Sequence, residues 1–252
     1  MKGSPFEQRA REGKSISRCS VSPSCPSGPR LNRKRPAEPA SIIIDVKTNF
    51  YVDAFNLYYG ALKGTPHKWL DLAALFGRVF PNNDIHRIRY FTARVDRRPP
   101  HFQQHQQQQA YLRALETIPE LSVHYGQFRT RPVQMRLERP RRVGPKTVRV
   151  LKTEEKGSDV NLASYLLLDA FRKDCEVAVV VSNDADLKTP IELAMLELGI
   201  RVGVLNPHPP EKRSLDLRPT FIKQLRQGPI AASQFAPVLR DDSGEIRQPK
   251  GW

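Results

Sequence analysis

The sequence predicts a three-layer α/β sandwich: a mainly parallel central sheet, helices on both of its faces, and a basic β-hairpin insertion. Three observations carry that expectation. Val177 to Val181 is an unbroken run of small, mostly β-branched residues, the composition of a strand covered on both faces. Around it the patterns read strand, helix, strand, helix, strand, hairpin, helix, strand, helix, strand, an alternation that a parallel sheet with crossover helices requires. Acidic residues gather where the strands stop, the place at which open α/β sheets bind ligands.

The central run ends in Ser182-Asn183-Asp184-Ala185-Asp186. Two carboxylates two residues apart at a sheet edge repel each other and lose hydration, so they call for a compensating cation, either a hard metal or a basic side chain. One Asp alone would serve to cap the helix that starts near Leu187. The segment by itself leaves both readings open.

The length of 252 residues is enough for one α/β domain with tails. Forty-one Lys and Arg against 26 Asp and Glu give a formal charge of +15. A polyanion is the natural partner, nucleic acid ahead of a membrane surface because no basic amphipathic helix stands out; the plainer alternative is charge that serves solubility. Three cysteines, with Cys19 and Cys25 near the start, make neither a disulfide framework nor a zinc site with a second ligand pair. No leader-like apolar segment opens the chain, and no apolar run approaches the ~18 residues of a membrane span. A soluble, cytoplasmic protein with no membrane partner is expected.

Residues 1–47 hold ten basic and four acidic residues with few large apolar ones, the composition of a disordered basic tail. It suits phosphate docking, nuclear addressing or a solvated leader equally. The domain itself is expected over 48–228, with a loose C-terminal tail over 229–252. Asn49 to Tyr59 reads as the first core strand running into a polar turn, with Asp53 at its carboxyl end and Asn56 one turn further on. An Asp in such an apolar run must be paired, bound to metal, or tied to backbone N–H groups. Trp69 to Phe80 has apolar residues at helical spacing, and Ile85 to Val95 alternates like a second strand. His101 to Ile118 reads as a helix whose His101 and His105 stand four apart, but glutamines surround both and a solvated face is the better reading.

Leu121 to Phe128 gives a third strand, after which the charge changes. From Arg129 to Lys152 there are nine basic residues and one acidic, Glu138, in a pattern that predicts a hairpin of Val133–Leu137 and Val148–Leu151. Basic side chains on such a ribbon fix phosphates without reading sequence, which makes Arg139, Arg141, Arg142 and Lys146 candidate nucleic-acid contacts, and Lys152 and Lys156, which flank Asp159 further on, candidate phosphate contacts beside it. Gly157 and Ser158 open the next helix, with Leu162, Tyr165, Leu166 and Phe171 as its expected buried stripe. Asp159 lies in the first turn, where the helix dipole favours a carboxylate. Thr189 to Leu198 is a helix closed by Gly199, Ile200 to Leu205 a strand, and Leu217 to Gln227 a last helix.

Three distant segments thus bring acid to one edge of the sheet: Val52-Asp-Ala-Phe-Asn-Leu57, Glu155-Lys-Gly-Ser-Asp-Val160 and Val181-Ser-Asn-Asp-Ala-Asp-Leu187. Together, and over roughly Asn49 to Leu205, they resemble the NYN domain, a branch of the PIN-like nuclease superfamily. The resemblance implies Mg²⁺ or Mn²⁺ held by Asp53, Asp159, Asp184 and Asp186, with Asn56, Ser182 and Asn183 in support. It implies a ribonuclease that hydrolyses RNA phosphodiester bonds and leaves DNA open as a substrate, and a homo-oligomer is compatible with it. The last motif departs from the family's frequent Ser-Gly-Asp-Ser-Asp-Phe at Asn183, Ala185 and Leu187, and Ala54 stands where Gly is common. The alternative is a catalytically silent RNA-binding or regulatory module of the same fold. A haloacid-dehalogenase phosphatase would need Thr where Lys188 stands, and a Rossmann enzyme would need a Gly-rich turn that is missing.

Overall fold

The computed structural model describes residues 45–95, 102–139 and 142–252. Its seven-stranded sheet has the order β4-β3-β2-β1-β5-β6-β7. β1 (Val46–Asp53) lies at the centre, parallel to β2 (Asn83–Ala93) on one side and to β5 (Val177–Val181) on the other. β3 (Leu121–Arg136) continues the sheet outward from β2, and β6 (Arg201–Asn206) and β7 (Phe221–Gln224) continue it from β5, all parallel. β4 (Thr147–Lys156) is the antiparallel edge. The chain turns away from β1 in opposite directions to reach β2 and β5, so a topological switch lies between β1 and β5.

Alternation along each strand sorts the side chains into two cores. Phe50, Val52, Ile88, Tyr90, Val179 and Val181 face α2 (Leu72–Val79) and α3 (Phe102–Glu116) through Leu72, Leu75, Phe76, Tyr111 and Leu115. Tyr51, Phe91, Ala178, Val180, Val202 and Val204 face α4 (Ser158–Phe171) and α5 (Lys188–Leu196) through Leu162, Leu166, Ile191 and Ala194. This is the expected three-layer α/β fold. Phe171, expected in the buried stripe of α4, is 74% exposed; it is the last helical residue and overshoots the sheet, whereas Leu162 and Leu166 sit one turn apart over it.

Other details differ from the sequence reading. No polar turn follows β1: α1 (Ala54–Leu57) begins at once and runs into a π-helical turn over Tyr58–Leu62. The hairpin is an extension of the sheet. β3 pairs with β2 only from Leu121 to Gly126, then continues paired to β4 alone from Gln127 to Arg136, so a two-stranded arm projects beyond the body. Phe221–Gln224, expected within a last helix, forms β7, because Phe221 and the residues after it find an open edge beside β6.

The segment expected to be a loose tail is folded. α6 (Gln227–Ala231) buries Ile230, and the hairpin of β8 (Val238–Asp241) and β9 (Gly244–Arg247) buries Ile246 in the first core. Trp69 donates from Nε1 to the carbonyl of Ala236 at 2.9 Å, and Arg113 pairs with Asp241 at 2.7 Å. Among the described residues no helix is long and apolar enough to cross a membrane.

Candidate active site

Asp53 is the last residue of β1, and Ser182 follows β5 directly; Val52 and Val181 are register partners, so the two side chains meet at the switch. Asp53 is 4% exposed, and each of its carboxylate oxygens accepts a hydrogen bond. Its Oδ1 accepts the Asn56 backbone N–H at 2.9 Å and caps α1, while its Oδ2 accepts the Ser182 hydroxyl at 3.0 Å. Burial pushes the Asp53 carboxyl above the usual carboxylate range and the charge of Asp184 adds to the rise, while the bonds from Asn56 and Ser182 pull it down. The cap reading and the site reading of this residue are compatible: one oxygen closes a helix, and the other meets Ser182 at the sheet's carboxyl edge.

The Ser182 oxygen also accepts the Asp184 N–H at 3.1 Å. Asp184 in turn caps a 3₁₀ turn over Ala185–Leu187, its Oδ1 accepting the Asp186 N–H at 3.0 Å. Asn56 reaches across from α1, its Oδ1 accepting the Asn183 N–H at 2.9 Å. Ser182 is buried, Asn183 and Asp184 are half-buried, and Asp186 is exposed.

Asp159 enters from the other layer, in the first turn of α4. Gly157 before it has φ of 101°, a left-handed conformation that costs a glycine little and any other residue much. The first turn has no side chain from its N-cap; instead Glu155 reaches forward from the end of β4, its Oε1 accepting the Ser158 N–H at 3.1 Å and the Ser158 hydroxyl at 2.7 Å. Gly126 of β3 lets that turn come close, since a Cβ there would lie 2.8 Å from the Lys156 carbonyl oxygen and 2.9 Å from the Ser158 nitrogen. Burial, then the charges of Asp53, Asp184, Glu155 and Asp186, push the Asp159 carboxyl up to about 6.

The four predicted aspartates are thus electrostatic neighbours, and none forms an ion pair with a described lysine or arginine. Glu155 is a fifth acid that sequence reading passed over; its position three residues before Ser158 was the available signal. Carboxylate oxygens are the donors a hard divalent ion prefers, so the set fits Mg²⁺ or Mn²⁺ in chemistry. Among the described residues, however, no three acidic, histidine or cysteine side chains stand at ligand spacing around one point.

The basic residues are distributed differently. Arg139, Arg142 and Lys146 are exposed at the arm's tip, ten strand residues past the last pairing with β2, roughly 30 Å along at about 3.3 Å per residue. Arg141 lies outside the described residues, as does His101. Lys152 and Lys156 point to Glu154 on the arm, which Arg131 also approaches at 3.6 Å, so the lysines expected beside Asp159 have an acidic partner of their own. His105, the other half of the histidine pair, is bonded to the Val95 carbonyl at 2.8 Å. The arm's base is pinned beside the acids by the Phe55–Phe128 ring contact, with centroids 5.8 Å apart, and by Asn161 donating to the Tyr125 carbonyl at 3.3 Å.

A mostly parallel α/β sheet with helices on both faces and acids at its switch point fits the PIN-like α/β class. The NYN domain profile matches residues 47–223, and the chain belongs to the NYN domain family. It is 28% identical over 253 residues to the 6-hydroxy-3-succinoylpyridine 3-monooxygenase of Pseudomonas putida, a match spanning 88% of this chain and 78% of that protein. Among solved structures it is similar to a protein of unknown function from Vibrio parahaemolyticus, at 16% identity and a TM-score of 0.46, over 73% of this chain and 94% of that one.

Proposed function

We propose that the protein is a metal-dependent ribonuclease that hydrolyses RNA phosphodiester bonds at Asp53, Asp159, Asp184 and Asp186. The observation that supports this reading is the setting of Asp159, whose carboxyl is lifted first by burial and then by the charges of Asp53, Asp184, Glu155 and Asp186, with no described lysine or arginine paired to it. Such a cluster is costly until a cation enters. Mg²⁺ or Mn²⁺ bound there would offset the charge that builds on the phosphate oxygens and make a nearby water more acidic. The chain's own residues set the stage: Asn56 and Ser182 orient Asp53, Ser182 and the turn it ties orient Asp184, and Glu155 seats the helix that carries Asp159. The oxygen of a water bonds to phosphorus as the bond from phosphorus to the leaving oxygen breaks, and the proton that the water gives up ends on that leaving oxygen. RNA is the partner best matched to the +15 charge and the basic arm, and the cytoplasm is where a chain without a disulfide framework would meet it.

The test is incubation of labelled single-stranded and structured RNAs with Mn²⁺ or Mg²⁺, with and without chelator, comparing wild type with Asp53→Asn and Asp184→Asn. Cleavage by wild type alone, abolished by chelator, is expected. Wild type that binds these RNAs and leaves them intact would instead be a silent RNA-binding module.

A second reading rests on the similarity to the Pseudomonas putida monooxygenase. It predicts oxygen uptake that depends on a hydroxylated pyridine and an added electron donor. The acid-lined edge of the sheet fits an anionic group bridged by a cation, which a phosphodiester and a succinoyl carboxylate both supply, so the cleavage and oxygen-uptake assays together decide between the readings.

A further inference from the structure

The arm approaches the acids from the β3 side; on the opposite side, beyond β6, lies the loop that leads to β7. That loop is fixed at two points. At its start, the His208 N–H donates to Asn206 Oδ1 at 3.0 Å, and Gln224 Nε2 donates to the His208 carbonyl at 2.6 Å. Further along, both ends of the Asn183 amide are used: Nδ2 donates to the Lys212 carbonyl at 2.8 Å, and Oδ1 accepts the Ser214 N–H at 2.8 Å. The same residue is tied through its own backbone N–H to Asn56. Asn183 is therefore a rivet between the acid cluster and this loop.

What the rivet holds is a pair of cations. Lys212, whose carbonyl takes the first bond, and Arg213, which lies between it and Ser214, are exposed and form no ion pair with a described residue. An amide clamp on the backbone of two adjacent unpaired basic residues, one residue away from Asp184, has no evident use in packing, since Glu211 to Arg213 bury nothing. It does fix, beside Asp184, the backbone from which two positively charged side chains extend. With about 4.8 Å between strands, the carboxyl edge from β3 to β6 spans roughly 19 Å, the reach of a short run of an extended single strand.

We propose that Lys212 and Arg213 form a second phosphate-binding subsite for a single-stranded nucleic acid, on the far side of the acids from the arm, and that Asn183 is the positioning residue that holds it. The proposal rests on the ribonuclease reading, because it places the scissile phosphate between the arm and this loop. A strand laid from arm to loop crosses Asp53 and Asp184 at the middle of the sheet. Arg and Lys there grip phosphates and leave the bases unread.

The experiment measures binding of a labelled single-stranded RNA across a salt series, in chelator so that nothing is cleaved. Wild type is compared with Lys212→Ala/Arg213→Ala, Asn183→Ala, and the triple variant, each with a thermal melt. At about 0.7 per phosphate contact for single strands, the double variant loses roughly 1.4 from the slope of log affinity against log salt. Asn183→Ala is expected to lose a comparable slope with an unchanged melt, and the triple variant to lose no more than the double. An unchanged slope in the double variant overturns the subsite. A full slope in Asn183→Ala beside a reduced one in the double variant overturns the positioning role. Failure of the ribonuclease reading looks different: wild type then binds no RNA at any salt, or binds it and never cleaves it when metal is restored.

Discussion

A single hydroxyl joins the two acidic strand ends: Ser182 donates to Asp53 Oδ2 at 3.0 Å and accepts the Asp184 N–H at 3.1 Å. Both bonds are buried or half-buried, so each is made at the expense of water. Removing the oxygen leaves Asp53 with one fewer donor and the Asp184 turn without its tie. Ser182→Ala is expected to lower hydrolysis roughly 10- to 100-fold, in line with about 1.5–3 kcal/mol for a hydrogen bond to a charged group. The acid limb of the pH–rate profile should also move upward, because the Ser182 bond holds the Asp53 carboxyl down. A slower variant with an unmoved limb would assign Ser182 to packing alone.

Asp159 makes a prediction about stability in the absence of metal. Its carboxyl sits at about 6 in the folded protein against 3.8 for an ordinary Asp, so the folded state holds that proton more tightly than the unfolded chain. The group therefore favours folding as pH falls through 6 and opposes it at neutral pH, where it is ionised among like charges. The full shift would correspond to about 3 kcal/mol, and solvent screening of a half-exposed group reduces it to roughly 1 kcal/mol. In chelator, Asp159→Asn should raise the melting temperature by a few degrees at pH 7.5 and change it little at pH 4. A loss of stability at both pH values would mean that the acids do not crowd.

The sheet and the acids were legible in the sequence, and the reasons are physical. Val177–Val181 has no polar residue to mislead, and Asp53, Asp159 and Asp184 stand at strand ends or a helix start, where local pattern and site coincide. The Asn183 clamp was not legible because its partners, the Lys212 carbonyl and the Ser214 N–H, are backbone atoms that carry no residue identity, whereas Glu155 was signalled only by its spacing to Ser158. The C-terminal segment misled for another reason. Ile230, Phe235, Ile246 and Trp252 are spaced too irregularly to show a period, and their burial comes from Trp69 and Tyr111, more than a hundred residues away.

Behind the second core lies an ion pair that the sequence did not announce. Arg89 of β2 grips Asp169 of α4 with two bonds, at 2.7 and 2.9 Å, and Tyr51 donates a third to the same carboxylate at 2.9 Å. The Asp169 side chain is 2% exposed and that of Arg89 10%. Removing one partner strands the other charge away from water. Arg89→Leu is expected to cost roughly 3–5 kcal/mol, read as a fall in the urea midpoint at constant slope. Replacing both, as Arg89→Leu with Asp169→Leu, should recover part of that loss. A double variant worse than either single one would show that the pair contributes more than its charges.

The C-terminal hairpin tests where the domain ends. Ile230 and Ile246 are buried against the core that holds Trp69, and the bonds that tie the segment down include Trp69 Nε1 to the Ala236 carbonyl, the Phe235 N–H to the Trp69 carbonyl, the Asp71 N–H to the Ser233 carbonyl, and the Arg113–Asp241 pair. Burying each isoleucine is worth about 1.5–3 kcal/mol, so the two together rival a large part of the 5–15 kcal/mol typical of a whole domain. A chain ended after Arg226 would also uncover Trp69 and Tyr111, and is expected to be insoluble or to melt well below the full chain. Ile246→Ala is the gentler probe, with an expected loss of about 2–5 kcal/mol in urea unfolding. A truncated protein with an unchanged melt, together with an Ile246→Ala loss under about 0.5 kcal/mol, would return residues 229–252 to the status of a loose tail.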